Sequence, residues 1–297
     1  MALRADPALQ PQQLQSMVRT ALAEDIGEGD ATTLAIAPKG VVVNARLVAR
    51  ERCVVAGLQI VEAVLSETSS NAALSIHVED GEVCEADQCL AEISGEARGI
   101  LTAERTLLNY LQRLSGIATM TSHYVAAVRG TSARILDTRK TTPGWRHLEK
   151  YAVRAGGGEN HRFGLYDRIM IKDNHRLIAA LEGPGGITRA VKACRRQYPI
   201  LEVEVEADSL DEVKEALEVQ ADYVLLDNMT CQQMRKAHEL RKEIYQQCLL
   251  EASGGITLGR VPEVAVTGVD YISAGALTHS SPAIDIGLDF CMPVQSA

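Results

Sequence analysis

The sequence predicts an α/β fold. An N-terminal α+β region precedes a C-terminal run of strand–helix units, expected to form a closed or nearly closed parallel barrel. Three observations predict it. The first part of the chain mixes helical stripes with short alternating segments. From residue 133, six strand-like segments alternate with helical stretches, the pattern of right-handed βαβ units in a parallel sheet. Polar residues stand at the C-terminal end of strand after strand, and in a parallel barrel those ends meet at one face. A doubly wound sheet is the rival, but no Gly-x-Gly-x-x-Gly follows a strand to mark a dinucleotide site.

Taken in order, residues 10–25 carry Leu14, Met17, Val18, Ala21 and Leu22 at helical spacing. Residues 41–49 read as a strand and 58–65 as a short helix. Residues 73–95 read as short strands around the turn dipeptide Asp80–Gly81. A long helix over 102–128 aligns Leu107, Leu108, Leu111 and Leu114, a stripe for the core or a subunit contact. Strands follow at 133–138, 168–173, 200–206, 222–227, 248–253 and 270–275. Helices are expected at 145–155, 186–197, 209–219, 230–245 and 257–266. Asp285 and Asp289 fall on a C-terminal helical pattern and are expected at the surface.

The chain has 297 residues, which at roughly 150 per domain suggests about two domains. Its 46% hydrophobic and 23% charged composition is that of a globular protein. No apolar run reaches the ~18 residues that cross a bilayer. The opening MALRADPALQPQQLQSM lacks an apolar signal core, so a cytoplasmic location is expected. A net charge of −9 argues against a broad nucleic-acid surface, which needs an excess of Lys and Arg. The seven cysteines form no CxxC pair, which fits free thiols in a reducing compartment rather than structural zinc.

The strand ends carry the chemistry. Arg139 and Lys140 follow the first C-terminal strand, Lys172 and Asp173 end the second, Glu204 and Glu206 the third, and Asp227 the fourth. Ser253, Gly254 and Gly255 follow the fifth, and Gly275 the sixth, with Thr278 and His279 close behind. With His161 and Arg162, these cations suit a polyanion. The two glycine-containing turns let backbone N–H groups approach phosphate oxygens at a helix start. Glu202, Glu204 and Glu206 alternate by two and share one strand face. Pairing with pocket cations or with Mg²⁺ would relieve their desolvation. A phosphorylated substrate, magnesium and a second anion held by Arg and Lys follow from this set.

Several residues keep two readings. Lys172 is either a pocket cation or an inward lysine paired with Asp173, and a lysine at a strand end also suits Schiff-base chemistry. His161 and His175 are either site residues or histidines satisfied by the core. Glu202 reads as a solvated or salt-bridged strand residue. Gly156–Gly158 either end a helix or free a loop that carries His161 and Arg162.

The segment 137–144, DTRKTTPG, resembles the signature of the quinolinate phosphoribosyltransferase family. The likeness extends over essentially the whole chain: ERTLLN (104–109), LSGIAT (114–119), KYAV (150–153), IKDNH (171–175), EVEVE (202–206), LLDN (225–228), EASGGI (251–256) and GVDYISAGALTHS (268–280). The resemblance implies an N-terminal open-faced α/β sandwich over 1–114, against which the tail 281–297 packs, and an α/β barrel of fewer than eight strands over 115–280. It implies transfer of a phosphoribosyl group from 5-phosphoribosyl 1-pyrophosphate (PRPP) to quinolinate, with Mg²⁺ and loss of CO₂, in NAD biosynthesis. It also implies a homodimer or higher homo-oligomer with a shared active site, Arg105 reaching into the neighbour. By position, Arg105, Arg139, Arg162 and Lys172 would clamp the two quinolinate carboxylates, with His161 beside them. Lys140 and Lys172 would face the pyrophosphate. Glu206 and Asp227 would serve the ribose and its metal. Ser253, Gly254, Gly255, Gly275 and His279 would hold the 5-phosphate. Trp145 stands where Leu or Phe is common in the family.

Competing readings are a phosphoribosyltransferase acting on nicotinate or another ring acid, a molybdenum-linked homologue, a barrel aldolase using Lys172, and a sensor that kept the pocket without turnover. A mono-acid needs fewer cations than Arg105, Arg139, Arg162 and Lys172 supply.

Overall fold

The computed structural model describes residues 11–291 apart from 70, 182 and 184. Residues 1–10 and 292–297, which end the two outer ranges expected from sequence, lie outside the described residues. In chain order the elements are α1 (Pro11–Ile26), α2 (Ala31–Ile36), β1 (Val42–Ala49), β2 (Cys53–Val54), α3 (Leu58–Thr68), β3 (Ala73–Ile76), β4 (Val83–Cys84), β5 (Cys89–Glu96) and α4 (Ala97–Ala127). Then come β6 (Arg134–Leu136), α5 (Arg146–Ala155), β7 (Ile169–Ile171), α6 (Asp173–Ala180), α7 (Gly186–Gln197), β8 (Val203–Ala207), α8 (Leu210–Glu218), β9 (Tyr223–Asp227) and α9 (Cys231–Ile244). The last described elements are β10 (Leu249–Ser253), a 3₁₀ turn at Leu258–Arg260, α10 (Val261–Ala265), β11 (Tyr271–Ser273), α11 (Ala276–His279) and β12 (Ile286–Cys291). They fall into two compact units.

Among the described residues the first unit comprises 11–122, 143–157 and 281–291. Its main sheet has four antiparallel strands in the order β12-β1-β5-β3. Alternation makes it open-faced: Ala45, Leu47, Ala91 and Ile93 are buried, while Asn44, Arg46 and Glu92 are exposed. The apolar stripes of α1 (Leu14, Val18, Leu22) and α3 (Ile60, Val61, Val64) are buried, as are Leu107, Leu111 and Leu114 of α4. Asp80 fixes the start of α3 by accepting the N–H groups of Gly57 (2.9 Å) and Leu58 (3.1 Å). The Tyr151 hydroxyl donates to the same carboxylate at 2.6 Å. That contact, with a Tyr110–Trp145 stack at 4.6 Å, ties the segment around α5 to this unit.

Residues 286–291 correct the sequence reading. They form a strand paired with β1, not a helix. The segment Ile-Gly-Leu-Asp-Phe-Cys alternates with period two, and β1 offers it a free edge. Asp289 there forms an ion pair with Arg50 at 2.5 Å.

The second unit comprises residues 123–142 and 158–280. Six parallel strands run in the order β6-β11-β10-β9-β8-β7, fewer than eight. Consecutive strands β7 to β11 are neighbours, and β6 lies beside β11, the cyclic order of a wound barrel. Among the described residues no ladder joins β6 to β7. The chain at Glu159 instead makes a single parallel bridge to Leu136. One face of the strands is apolar: Val203 and Val205 on β8, Val224 and Leu226 on β9, Leu250 and Ala252 on β10. The other face carries Glu204, Glu206, Asp227 and Glu251. Helix α6 was not expected from sequence. It buries none of its residues, so it shows no apolar stripe to read.

Candidate active site

Because the six strands are parallel, their C-terminal ends lie at one end of the sheet. Arg139, Lys140, Lys172, Glu206, Asp227, Ser253 and Gly275 all stand there, at the ends of β6 to β11. The register ties three of these strands together, with Ser253 opposite Asp227 and Glu206 opposite Leu225.

The cations sort into two groups. Arg139 and Arg162 form the first. Burial lowers the Arg162 pKa, and the positive charge of Arg139 lowers it further, so the two guanidiniums repel each other. Arg139 Nε is buried with no hydrogen-bond partner. Glu204 and Asp167 partly offset this for Arg162, and a ligand carboxylate between the two guanidiniums would offset it further. Lys140 forms the second group. A Cβ on Gly275 would lie 2.9 Å from His279 Nε2 and 3.0 Å from Lys140 Cδ. The Thr278 hydroxyl locks this corner by donating to the Lys140 carbonyl at 2.7 Å.

Lys172 pairs with Glu206, Nζ to Oε2 at 2.7 Å, and not with Asp173 as one sequence reading held. Its backbone N–H donates to His175 Nδ1 at 2.9 Å, which gives His175 a structural task at the start of α6. Glu202 is half-exposed and faces Arg168 at 3.8 Å, as expected for a salt-bridged strand residue. At the Ser253–Gly255 turn, Gly254 has φ +87° and Gly255 φ +58°, conformations that favour glycine. A Cβ on Gly254 would collide with the side chain and backbone of Asn228. Asn228 donates through Nδ2 to Asp227 Oδ2 at 2.7 Å, so the turn and the carboxylate are braced together.

His161 is buried beneath the strand ends. Its Nε2 lies 3.1 Å from Glu204 Oε2 and 3.3 Å from Glu251 Oε2. Burial alone would lower its pKa, but the charges of Glu251 and Glu204 raise it to about 9. The Arg162 N–H, 2.6 Å from Nδ1, favours the neutral ring, but one amide dipole is outweighed by two buried carboxylates at this range. Burial would raise Glu204, yet His161 and then Arg168 bring it down to about 2. Glu251 is pushed up by burial and by the Glu204 charge.

Sequence reasoning assigned no role to Asp137, Arg168 or Glu251. Asp137 is fully buried at the end of β6. It accepts the His161 N–H at 2.8 Å and the Asn160 side-chain amide at 2.7 Å, and so moors the segment that carries His161 and Arg162. Its place at the head of the DTRKTTPG motif was the available signal. Arg105 is exposed on α4 in the first unit and is not among the residues gathered in the second. The geometry links no two of the expected metal ligands by a shared contact.

A parallel α/β unit whose strand ends gather arginines, lysines and carboxylates defines an enzyme built to handle anions. The chain belongs to the quinolinate phosphoribosyl transferase family, whose N-terminal domain matches residues 30–115 and whose C-terminal domain matches residues 117–289. It is thus a phosphoribosyltransferase, a pentosyltransferase by class. It is 46% identical over 275 residues to the carboxylating nicotinate-nucleotide pyrophosphorylase of Mycobacterium leprae, covering 92% of this chain and 95% of the relative. It is 42% identical to a probable carboxylating nicotinate-nucleotide pyrophosphorylase of Bacillus subtilis, covering 96% of each chain. Among solved structures, the nicotinate-nucleotide pyrophosphorylase of Francisella tularensis superposes with a TM-score of 0.89 at 36% identity, covering 96% of this chain and 99% of that one. Human nicotinic acid phosphoribosyltransferase shares the fold alone, at 13% identity and a TM-score of 0.59. No helix among the described residues is long and apolar enough to cross a membrane.

Proposed function

We propose that the chain joins quinolinate to the ribosyl carbon of PRPP and releases pyrophosphate and CO₂, leaving nicotinate mononucleotide. The observation that carries this reading is the pair of half-buried Arg139 and buried Arg162, mutually repelling and with Arg139 Nε buried and unpartnered. Two planar guanidiniums suit a ligand with two adjacent carboxylates, since each fork matches one carboxylate. A mono-acid would leave part of this charge uncompensated.

Arg139 and Arg162 orient the pyridine diacid, with His161 and Lys172 beside it. Lys140 meets the negative charge that builds as pyrophosphate departs. Glu206 and Asp227 face the ribose, where carboxylates stabilise the positive charge of an oxocarbenium-like centre. Ser253, Gly254, Gly255 and Gly275 bring backbone N–H groups to the 5-phosphate, with His279 at its rim. Once the ring nitrogen carries the ribosyl group it is cationic. The electron pair of the breaking carbon–CO₂ bond then passes to the ring carbon beside that nitrogen, and a proton replaces CO₂.

Glu206 and Asp227 also suit Mg²⁺. They offer oxygen donors only, on neighbouring strand ends, and Asp227 gives a single oxygen to Asn228. Bound there, the metal would neutralise the pyrophosphate. Arg105, exposed on α4, fits a cation lent to a second copy of the chain, so a homodimer or higher homo-oligomer completes the reading. A cytoplasmic location is part of the same proposal. The aldolase reading is weaker, because the Lys172–Glu206 pair favours a charge-carrying lysine over a nucleophilic one. The deciding assay supplies quinolinate, PRPP and Mg²⁺ and follows CO₂ and mononucleotide. Equal turnover of nicotinate, or none of quinolinate, would overturn the proposal.

A further inference from the structure

Residues two apart on a strand share a face. On β8 that face carries Glu204 one step below Glu206, and on β10 it carries Glu251 one step below Ser253. The columns that end in the residues proposed for substrate therefore hold two carboxylates one layer deeper. Both are fully buried. They meet at His161, within 3.3 Å of its Nε2 in each case. Arg168 closes the cluster, with Nη1 3.3 Å from Glu204 and its guanidinium carbon 3.9 Å from the centre of the Tyr223 ring.

Burying four ionisable groups is costly, and apolar residues of similar volume would serve stability as well or better. Charge clusters of this kind concentrate at functional sites. Within the cluster, His161 lies next to Arg162 in sequence, and Asp137 fixes its backbone. The remaining members, Glu204, Glu251 and Arg168, lie deeper along the strands, away from their C-terminal ends.

We propose that Glu251 is a positioning residue for the reaction: with Glu204, it holds the His161 ring and its proton in place at the diacid end of the pocket. This rests on the proposed placing of His161 beside quinolinate. The charged groups that face or flank the ring are Asp137 at the end of β6, Arg168 ahead of β7, Glu204 on β8, Glu251 on β10, and Arg162 on its own segment. Glu251 is the carboxylate of choice for a test, because Arg168 already balances Glu204.

Glu251→Gln keeps the shape and removes the charge. Circular dichroism checks its fold, and kinetics vary quinolinate and PRPP separately. The KM for quinolinate is expected to rise about tenfold while that for PRPP stays within about twofold. The alkaline limb of kcat/KM for quinolinate is expected to move to lower pH, and Glu251→Asp to recover part of both effects. Equal changes in both KM values, or an unmoved pH profile, would overturn the inference. If Glu251→Gln does not fold, Glu251→Asp carries the same readouts with smaller shifts. An NMR titration of the His161 imidazole, identified by its loss in His161→Asn, needs no turnover. Its midpoint is expected to fall in the Glu251 variant, and an unchanged midpoint would overturn the inference. A lowered midpoint in a protein that does not turn over quinolinate would sink only the substrate reading.

Discussion

The Lys172 ammonium lies 2.7 Å from the Glu206 carboxylate, so two groups proposed for different parts of the substrate pair already occupy each other. The Lys172 side chain is 47% exposed, and half-exposed ion pairs contribute little to stability. Lys172→Met is therefore expected to shift unfolding by less than about 1 kcal/mol. It is also expected to cut turnover at least tenfold, a loss above ~1.4 kcal/mol of transition-state stabilisation. Denaturant titration beside steady-state kinetics separates the two effects, and a variant that loses stability but keeps its rate would contradict the role given to Lys172.

Lys140→Ala and Glu206→Ala are each expected to lower kcat at least tenfold, again above ~1.4 kcal/mol. Lys140 faces the glycine of the last βα turn, and Glu206 ends the strand that carries Glu204. Wild-type rates in either variant would remove that residue from the reaction.

Asp137 moors two hydrogen bonds of the segment around His161. Asp137→Ala leaves the buried His161 N–H without that acceptor, a cost of roughly 1–3 kcal/mol, and removes it from the part-buried Asn160 amide as well. The variant is expected to unfold at lower denaturant and to raise the KM for quinolinate more than that for PRPP. An unchanged ratio of the two constants would mean that Asp137 serves the fold alone.

The buried cluster makes stability depend on pH in two directions. His161 rises from 6.5 unfolded to about 9 folded, so its contribution is complete below pH 6.5 and is lost as pH rises through 9. Glu251, also raised, acts in the same direction. Glu204 falls from 4.5 to about 2, so its contribution is present above pH 4.5 and is lost as pH falls toward 2. Urea unfolding is expected to show greatest stability between these limits and a decline on the order of 3 kcal/mol across the alkaline side. His161→Asn should flatten the part of that decline between pH 6.5 and about 9, leaving the part due to Glu251; a slope unchanged by the substitution would place its origin elsewhere.

Arg105→Ala is expected to inactivate a homodimer whose site is shared, whereas mixing it with Glu206→Ala restores part of the activity in hybrid dimers. The signal is the rate of the mixture against the sum of its components. Purely additive rates would count against a lent arginine.

Much of this architecture was legible in the sequence because its signals are local. The period-two run 202–206 announced both β8 and its shared carboxylate face, and the helix expected over 186–197 matches α7 in both bounds. The polar residues read at successive strand ends come to one end of the sheet because the strands are parallel. What escaped was set by long-range order. Glu251 gains its meaning only because β10 lies two strands from β8, which places it within reach of His161. Asp137 moors residues 160–161 through its carboxylate, beside a Leu136–Glu159 bridge that no nearby pattern encodes. The terminal strand escaped for a similar reason: six residues with two charges nearby carry a weak period until β1 supplies their partner.

The placing of the first parallel strand next to the last bears on how the chain comes to be folded. β6 forms its ladder with β11, and β1 receives one of its two flanking strands from β12, more than two hundred residues later in sequence. Neither sheet can be completed before β11 and β12 have been synthesised. The ribosome must deliver the chain as far as β11 and β12 before the early strands stop offering bare edges, and pairings so distant in sequence are slow to form. A chain cut short before residue 271 forfeits both closures at once.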